Sequence, residues 1–211
     1  NGAHAHWYDF IAPALAEDYY VIAMTFSGMG DSDWREHYSF ATFTDEEIAV
    51  CEDAGLFDNG QKPVIFAHSF GGFITLHAAA RHSEKFSGVV IVDSGLRPPD
   101  DEWDGPPRRA RGSRAYASLE AALARFRLSP PQPCENHYIA DYIARHSLKQ
   151  TENEAGQSGW IWKFDPSIFM NFEFSKLSSI VLDDITCRVA MMRGKDSVLV
   201  SDRIWEYMRG L

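Results

Sequence analysis

Residues Pro63 to Leu76, reading Pro-Val-Ile-Phe-Ala-His-Ser-Phe-Gly-Gly-Phe-Ile-Thr-Leu, constrain the fold more than any other stretch of this chain. Val64 to Ala67 form an apolar, partly β-branched run, the composition of a buried strand. After Ser69 the spacing changes, with Phe73, Leu76 and Ala80 recurring at helical intervals. A strand that turns into a helix at one serine, with Gly71 and Gly72 permitting close backbone approach, holds the hydroxyl exposed at the strand's C-terminal edge. The pattern for such a nucleophile is G-x-S-x-G, and here Ala67 replaces the first glycine. The competing explanation is an ordinary βα turn in which Ser69 caps the helix.

With 211 residues, 45% of them hydrophobic, the chain can bury a substantial core. A net charge of −10 argues against a nucleic-acid surface, which needs a lysine and arginine face. That balance fits a small neutral or apolar substrate. Cys51, Cys134 and Cys187 lie far apart, with neither C-x-x-C spacing nor a Cys/His cluster, so no metal, cofactor or disulfide framework is expected. With no disulfide framework indicated, a reducing cytoplasm is the default reading for location, and membrane insertion is not expected because no apolar run reaches spanning length and no signal-peptide pattern is present in the N-terminal residues.

Elements follow in order. A loop at Asn1 to Trp7 feeds a short helix with Phe10, Ile11, Ala14 and Leu15 at helical spacing, and Tyr19 to Met24 reads as a buried strand. Asp45 to about Ala54 reads as a helix stopped by Gly55. The Val64–Ala67 strand and its helix to about His82 come next, then a third strand, Gly88 to Val92, ending at Asp93. Strands alternating with helices predict a mostly parallel sheet covered by helices, the α/β class. From Arg97 to about Ser175 no buried-strand pattern appears. This stretch holds Pro98-Pro99, Pro106-Pro107 and Pro130-Pro131, two expected helices (about Ser118–Arg127 and Asn136–Ser147) and the aromatic run Trp160 to Phe164. It predicts a largely helical cap that supplies an apolar ceiling to a pocket. Arg108, Arg109, Arg111 and Arg114 follow Asp100, Asp101, Glu102 and Asp104, the pattern of a solvated mixed-charge loop. Leu177 to Leu182 reads as a helix, Arg188 to Met192 as a fourth strand, and Ser201 to Met208 as a final helix. The expected partition is therefore a first core segment, 1–96, a cap, 97–176, and a second core segment, 177–211.

Five pieces together resemble the α/β-hydrolase superfamily, specifically its lidded serine hydrolases. They are Asn1-Gly2 before His4-Ala5-His6-Trp7, Ser27-Gly28-Met29-Gly30-Asp31-Ser32, the Ala67 to Gly72 turn, Val92-Asp93-Ser94, and Gly194-Lys195-Asp196. By that resemblance Ser69 is the nucleophile and Asp196 the acid that orients a histidine. Asp93 also ends a strand and is the alternative acid; Asp196 is preferred because Gly194 frees its loop to turn the carboxylate inward. The N–H groups of Phe70 and Asn1 would form the oxyanion hole. His68 would be a wall or core residue, while Trp160 and Trp162, with Trp103, Tyr116 and Phe126, would contact an apolar substrate or form the core of the cap.

Departures from the family's pattern matter as much. Its catalytic histidine lies on a loop after one further strand, and all eight histidines here precede Asp196. In the family the first three strands would precede Asn1, so the resemblance implies a sheet without its first strands and its last, in a fragment of a longer reading frame. Little triad-dependent activity is expected of residues 1–211 alone. The complete protein is read as a serine hydrolase, carboxylesterase-like, cleaving a small apolar ester or a related acyl or carbon–carbon bond. The alternative is a non-catalytic small-molecule binder on the same scaffold.

Overall fold

Three short apolar runs assemble into one parallel sheet. The computed structural model describes residues 2–101, 115–152, 156–170, 172 and 182–211. Their contacts divide the chain into two units, Tyr38–Pro107 with Phe172–Leu211, and Asn1–His37 with Arg108–Asn171. This division differs from the expected 1–96, 97–176 and 177–211, because the N-terminal residues group with the inserted segment.

The first unit holds strands β1 (Val64–His68), β2 (Gly88–Val92) and β5 (Arg188–Met192) in the order β1-β2-β5. Both pairings are parallel, with Ile65 opposite Val89 and Val89 opposite Val189. Helix α3 (Phe70–His82) is the crossover from β1 to β2. Its Leu76, Ala78 and Ala79 pack with Ala67, Val89 and Ile91 of the sheet and with Ile204 and Met208 of α6 (Asp202–Arg209). Leu76, Val89 and Ile91 are buried, and each such side chain contributes about 1.5–3 kcal/mol on leaving water. The alternate positions Val64, Phe66 and Met192 stay exposed. Where the chain enters β5, Ser83 Oγ accepts the N–H groups of Thr186 and Cys187 at 2.8 and 3.2 Å.

Helix α2 (Phe40–Asp53) packs on α3 and starts five residues before the expected Asp45, because Ser39 caps it by accepting the Thr42 N–H at 3.1 Å. Phe40, Phe43, Phe70 and Phe172 form an aromatic cluster with ring centroids 4.8–6.3 Å apart.

The second unit contains α1 (Ala12–Leu15), α4 (Leu119–Leu123), α5 (His137–His146) and an antiparallel hairpin of β3 (Leu148–Glu152) and β4 (Ser158–Trp162). The hairpin stands beside α4 and α5 in an insertion expected to be largely helical, and the sequence did not signal it. Leu-Lys-Gln-Thr-Glu buries only Leu148, so β3 carries no apolar alternation to betray it. A correction concerns Tyr19 to Met24, which joins no ladder among the described residues. Tyr19 and Tyr20 are 68% and 73% exposed; apolar composition signals a wish for burial, but a strand exists only where a neighbouring backbone accepts its hydrogen bonds. Helix α4 is also shorter than the expected Ser118–Arg127. The arginines at 108, 109, 111 and 114, Trp103, and most of the expected Leu177–Leu182 helix lie outside the described residues. Cys51, Cys134 and Cys187 are free thiols. Among the described residues no helix is long and apolar enough to cross a membrane.

Candidate active site

Ser69 occupies the turn between β1 and α3 with φ 54° and ψ −119°, left-handed backbone that a non-glycine residue adopts only under local constraint. Three hydrogen bonds supply that constraint. The Ser69 N–H donates to Val92 O at 2.9 Å, and the Ser69 carbonyl accepts from Gly72 N–H at 3.0 Å and from the Ser94 hydroxyl at 2.7 Å. Although Ser69 stands at the N-cap position, its side chain makes no capping hydrogen bond, so the ordinary serine cap is not what this residue does.

Small residues make the turn possible. A Cβ on Gly72 would run into Ser94 Oγ and lie 2.8 Å from Ser94 Cβ and 2.9 Å from Ile91 Cγ2. A Cβ on Gly71 would stand 3.9 Å from the Cβ of Ala67. That is ordinary van der Waals contact, so the alanine that stands where the motif has its first glycine does not crowd position 71.

Phe70 opens the 13-residue α3, so its N–H belongs to the positive end of the helix dipole. Its ring is held by the phenylalanine cluster. Asn1, the second expected oxyanion donor, lies outside the described residues.

The parallel order β1-β2-β5 sends Ser69, Asp93 and Asp196 out of the same sheet edge, the C-terminal one. The strands leading to Ser69 and Asp196 are two strand spacings apart, roughly 9–10 Å. A hydrogen-bonded imidazole spans on the order of 7–8 Å between two oxygens, so loops leaving those strands have only a short distance to close. Asp196 stands in a turn closed by the Ser197 N–H to Gly194 O bond of 3.1 Å. It is exposed, and its carboxylate has no hydrogen bond among the described residues. Asp93 is placed differently. It has φ 53°, and its two oxygens accept the Gly194 N–H at 3.1 Å and the Ser197 hydroxyl at 2.9 Å.

The histidines of this unit have other surroundings. His68 ends β1 with part of its ring exposed; desolvation by the neighbouring chain holds its pKa below the ordinary value, against the upward pull of Asp93. His77 Nδ1 is 2.8 Å from Thr44 Oγ1, and its ring stacks on Phe40. His82 ends α3, at the opposite end from Ser69.

Trp160 and Trp162 belong to the other unit. The Trp160 backbone exchanges two 2.8 Å hydrogen bonds with Tyr116, and the Trp162 ring centroid lies 6.4 and 6.2 Å from those of Tyr116 and Phe126. Ser69, Phe70, His68, Asp93 and Asp196 thus share one unit, and the two tryptophans sit in an aromatic cluster of the second. The bracing roles of Ser94, named above only as part of Val92-Asp93-Ser94, and of Ser197 carry no sequence signal, since a serine bonded to a turn some 25 or 100 residues away leaves no local pattern. Among the described residues no group of three or more His, Cys, Asp or Glu is arranged to hold a metal ion.

Comparisons with known proteins bear on this arrangement. The chain matches the family model described as "Alpha/beta hydrolase family" over residues 1–209. No curated protein matches it at the sequence level. Among solved structures it is similar to an esterase from Mycobacterium tuberculosis at 21% identity and TM-score 0.68, over 100% of this chain and 69% of that one. It is also similar to the thioesterase domain from the curacin biosynthetic pathway, at 18% identity and TM-score 0.74, over 99% and 77% of the two chains. A third is E-2-(acetamidomethylene)succinate hydrolase, at 19% identity and TM-score 0.71, over 99% and 75%. At these identities the structural likeness speaks for the fold alone.

Proposed function

We propose that this chain, which belongs to the alpha/beta hydrolase family, contributes the nucleophile and the acid of a serine hydrolase acting on a small apolar ester or a related acyl or carbon–carbon bond. The observation that carries this reading is Ser69, a serine held at φ 54° with its hydroxyl unspent on capping, at the sheet edge from which the Asp196 loop also leaves.

In an ester the Ser69 oxygen attacks the carbonyl carbon while a histidine takes its proton, and the Phe70 N–H stabilises the oxyanion. Collapse expels the alcohol, which receives that proton, and leaves an acyl-serine that water then hydrolyses by the same proton route. His77 is bonded to Thr44 and His82 stands at the far end of α3, while His68, next to Ser69 on β1, is read as a wall residue, so the histidine is assigned to a position outside the sheet unit. Asp196 orients it and stabilises its charged form. Similarity to an esterase and a thioesterase domain is what suggests acyl transfer as the chemistry.

The lack of a suitably placed histidine within the sheet unit is also what favours the rival reading, a binder that has kept the scaffold without turnover. One experiment separates the two. An alkyl fluorophosphonate applied to the full-length protein is expected to modify the peptide carrying Ser69, as read by mass spectrometry. Ser69→Ala should abolish labelling and lower ester turnover by about four orders of magnitude. A protein that binds short-chain esters but neither labels nor hydrolyses them would establish the binder instead.

A further inference from the structure

The two residues that follow β2 reach in opposite directions. Ser94, only 2% exposed, donates its hydroxyl to the Ser69 carbonyl at 2.7 Å, on the nucleophile side. Asp93 faces the loop after β5, where Oδ1 takes the Gly194 N–H at 3.1 Å and Oδ2 takes the Ser197 hydroxyl at 2.9 Å. Gly194 and Ser197 are the two ends of one turn, joined by the Ser197 N–H to Gly194 O bond, and Asp196 stands at its corner. A single carboxylate therefore clips both ends of the turn that carries the proposed acid.

Proton counting at Ser197 explains why this residue must be a carboxylate. Ser197 Oγ already accepts the N–H groups of Leu199 and Val200 at 3.2 and 3.1 Å, so its own proton has to be given away. Asp93 receives it through one oxygen and the Gly194 N–H through the other, both strengthened by the negative charge. An amide in its place has one oxygen, and it would present an NH2 group to one of the two donors. Aspartate also tolerates the left-handed backbone this position requires, φ 53°.

We infer that Asp93 is a positioning residue, which fixes the turn carrying Asp196 and ties it through Ser94 to the turn carrying Ser69. The inference rests on reading Ser69 and Asp196 as nucleophile and acid. It separates the roles of the two aspartates, with Asp196 presented to the histidine and Asp93 holding it there.

The test uses the full-length enzyme, a p-nitrophenyl ester of a short acyl chain, and the variants S69A, D93N, S197A, D93N/S197A and D196N. Asp93→Asn is expected to lower kcat by about 10- to 100-fold with KM within about twofold, while Asp196→Asn costs more, on the order of 10³–10⁴. In Asp93→Asn the acid limb of the kcat/KM profile should move to lower pH, since a histidine that loses its carboxylate partner is a weaker base. A residue that merely stabilises the fold would leave that limb in place. The double variant should lose little more than either single one, because both break the same clip. A loss in Asp93→Asn larger than in Asp196→Asn would make Asp93 itself the acid and overturn the inference, as would unchanged kcat and limb. Amide hydrogen exchange is read in the same proteins. Gly194, Leu199 and Val200 should exchange about tenfold faster or more in Asp93→Asn, and unchanged exchange refutes the clip whatever Ser69 does. Wild-type turnover by S69A would defeat the serine reading by itself, and exchange alone would then decide the role of Asp93 as a clip.

Discussion

Gly72 and Ser94 make room for each other beside Ser69: the missing side chain at 72 leaves space for the Ser94 hydroxyl that braces the Ser69 carbonyl. Gly72→Ala would push a methyl into Ile91 of β2 and Ser94 just beyond it, both buried, so the clash cannot be relieved by a flexible side-chain end. It should destabilise the protein by about 1–3 kcal/mol, the usual cost of overpacking, and reduce fluorophosphonate labelling at Ser69. Urea denaturation checks the first and labelling rate the second. Ser94→Ala in the same background should recover only part of the stability, because Ser94 Cβ and Ile91 Cγ2 remain within 2.9 Å of the new methyl. At this scale the proposed nucleophile and the proposed acid stand out in the sequence because each belongs to a local pattern, small-x-Ser-x-Gly and Gly-x-Asp. The bracing contacts of Ser94 and Asp93 have no such pattern, although both residues belong to the Val92-Asp93-Ser94 piece, since they act on residues 25 and about 100 positions away.

Elements were legible where burial and hydrogen bonding coincide. Val64–His68, Gly88–Val92 and Arg188–Met192 are apolar runs that also find backbone partners, and all three appear at or within a residue of their expected limits. Tyr19–Met24 has the composition without a ladder, and Leu148–Glu152 has a ladder without the composition; apolarity and pairing are separate requirements. Helix α2 shows how a cap moves a boundary. Apolar spacing suggested a start near Asp45, yet the Ser39 hydroxyl takes the Thr42 N–H and gains a further turn that buries Phe40 and Phe43. Ser39→Ala should cost about 1 kcal/mol, and Ser39→Asp only a few tenths, since aspartate caps as well as serine does. Chemical denaturation midpoints of the two variants, at constant m-value, measure the difference. Equal losses in both would mean that the cap contributes nothing and that aromatic packing alone places the start of α2.

Two buried titratable groups, one in each unit, impose opposite pH dependences on the whole molecule. Glu47 is 2% exposed, with Oε2 taking the Thr75 hydroxyl at 2.9 Å and Oε1 without a partner among the described residues. Burial pushes its pKa up to about 7. His4 is 4% exposed; its Nε2 lies 2.8 Å from Ser147 Oγ, whose proton goes to Ile143 O, so Nε2 is the donor and Nδ1 the proton-free nitrogen. Burial, with His6 and His146 nearby, lowers its pKa to about 4. Between pH 4.5 and 7 the unfolded chain releases the Glu47 proton while the fold retains it, so this group's contribution to stability declines as pH rises. Between pH 6.5 and 4 the unfolded chain protonates His4 while the fold does not, so that contribution declines as pH falls. Each slope is about 1.4 kcal/mol per pH unit, and each group's total is on the order of 3 kcal/mol. Over the shared window the two cancel in any transition that unfolds both units, and only variants separate them. Subtracting the wild-type urea stability at each pH removes every other titration, including that of the acidic surface. The Glu47→Gln difference should climb in the stabilising direction from pH 4.5 to 7, and the His4→Gln difference from pH 6.5 down to 4. Difference curves that are flat, or that climb in the same direction, would show that neither group keeps its proton state across folding in the way its burial demands.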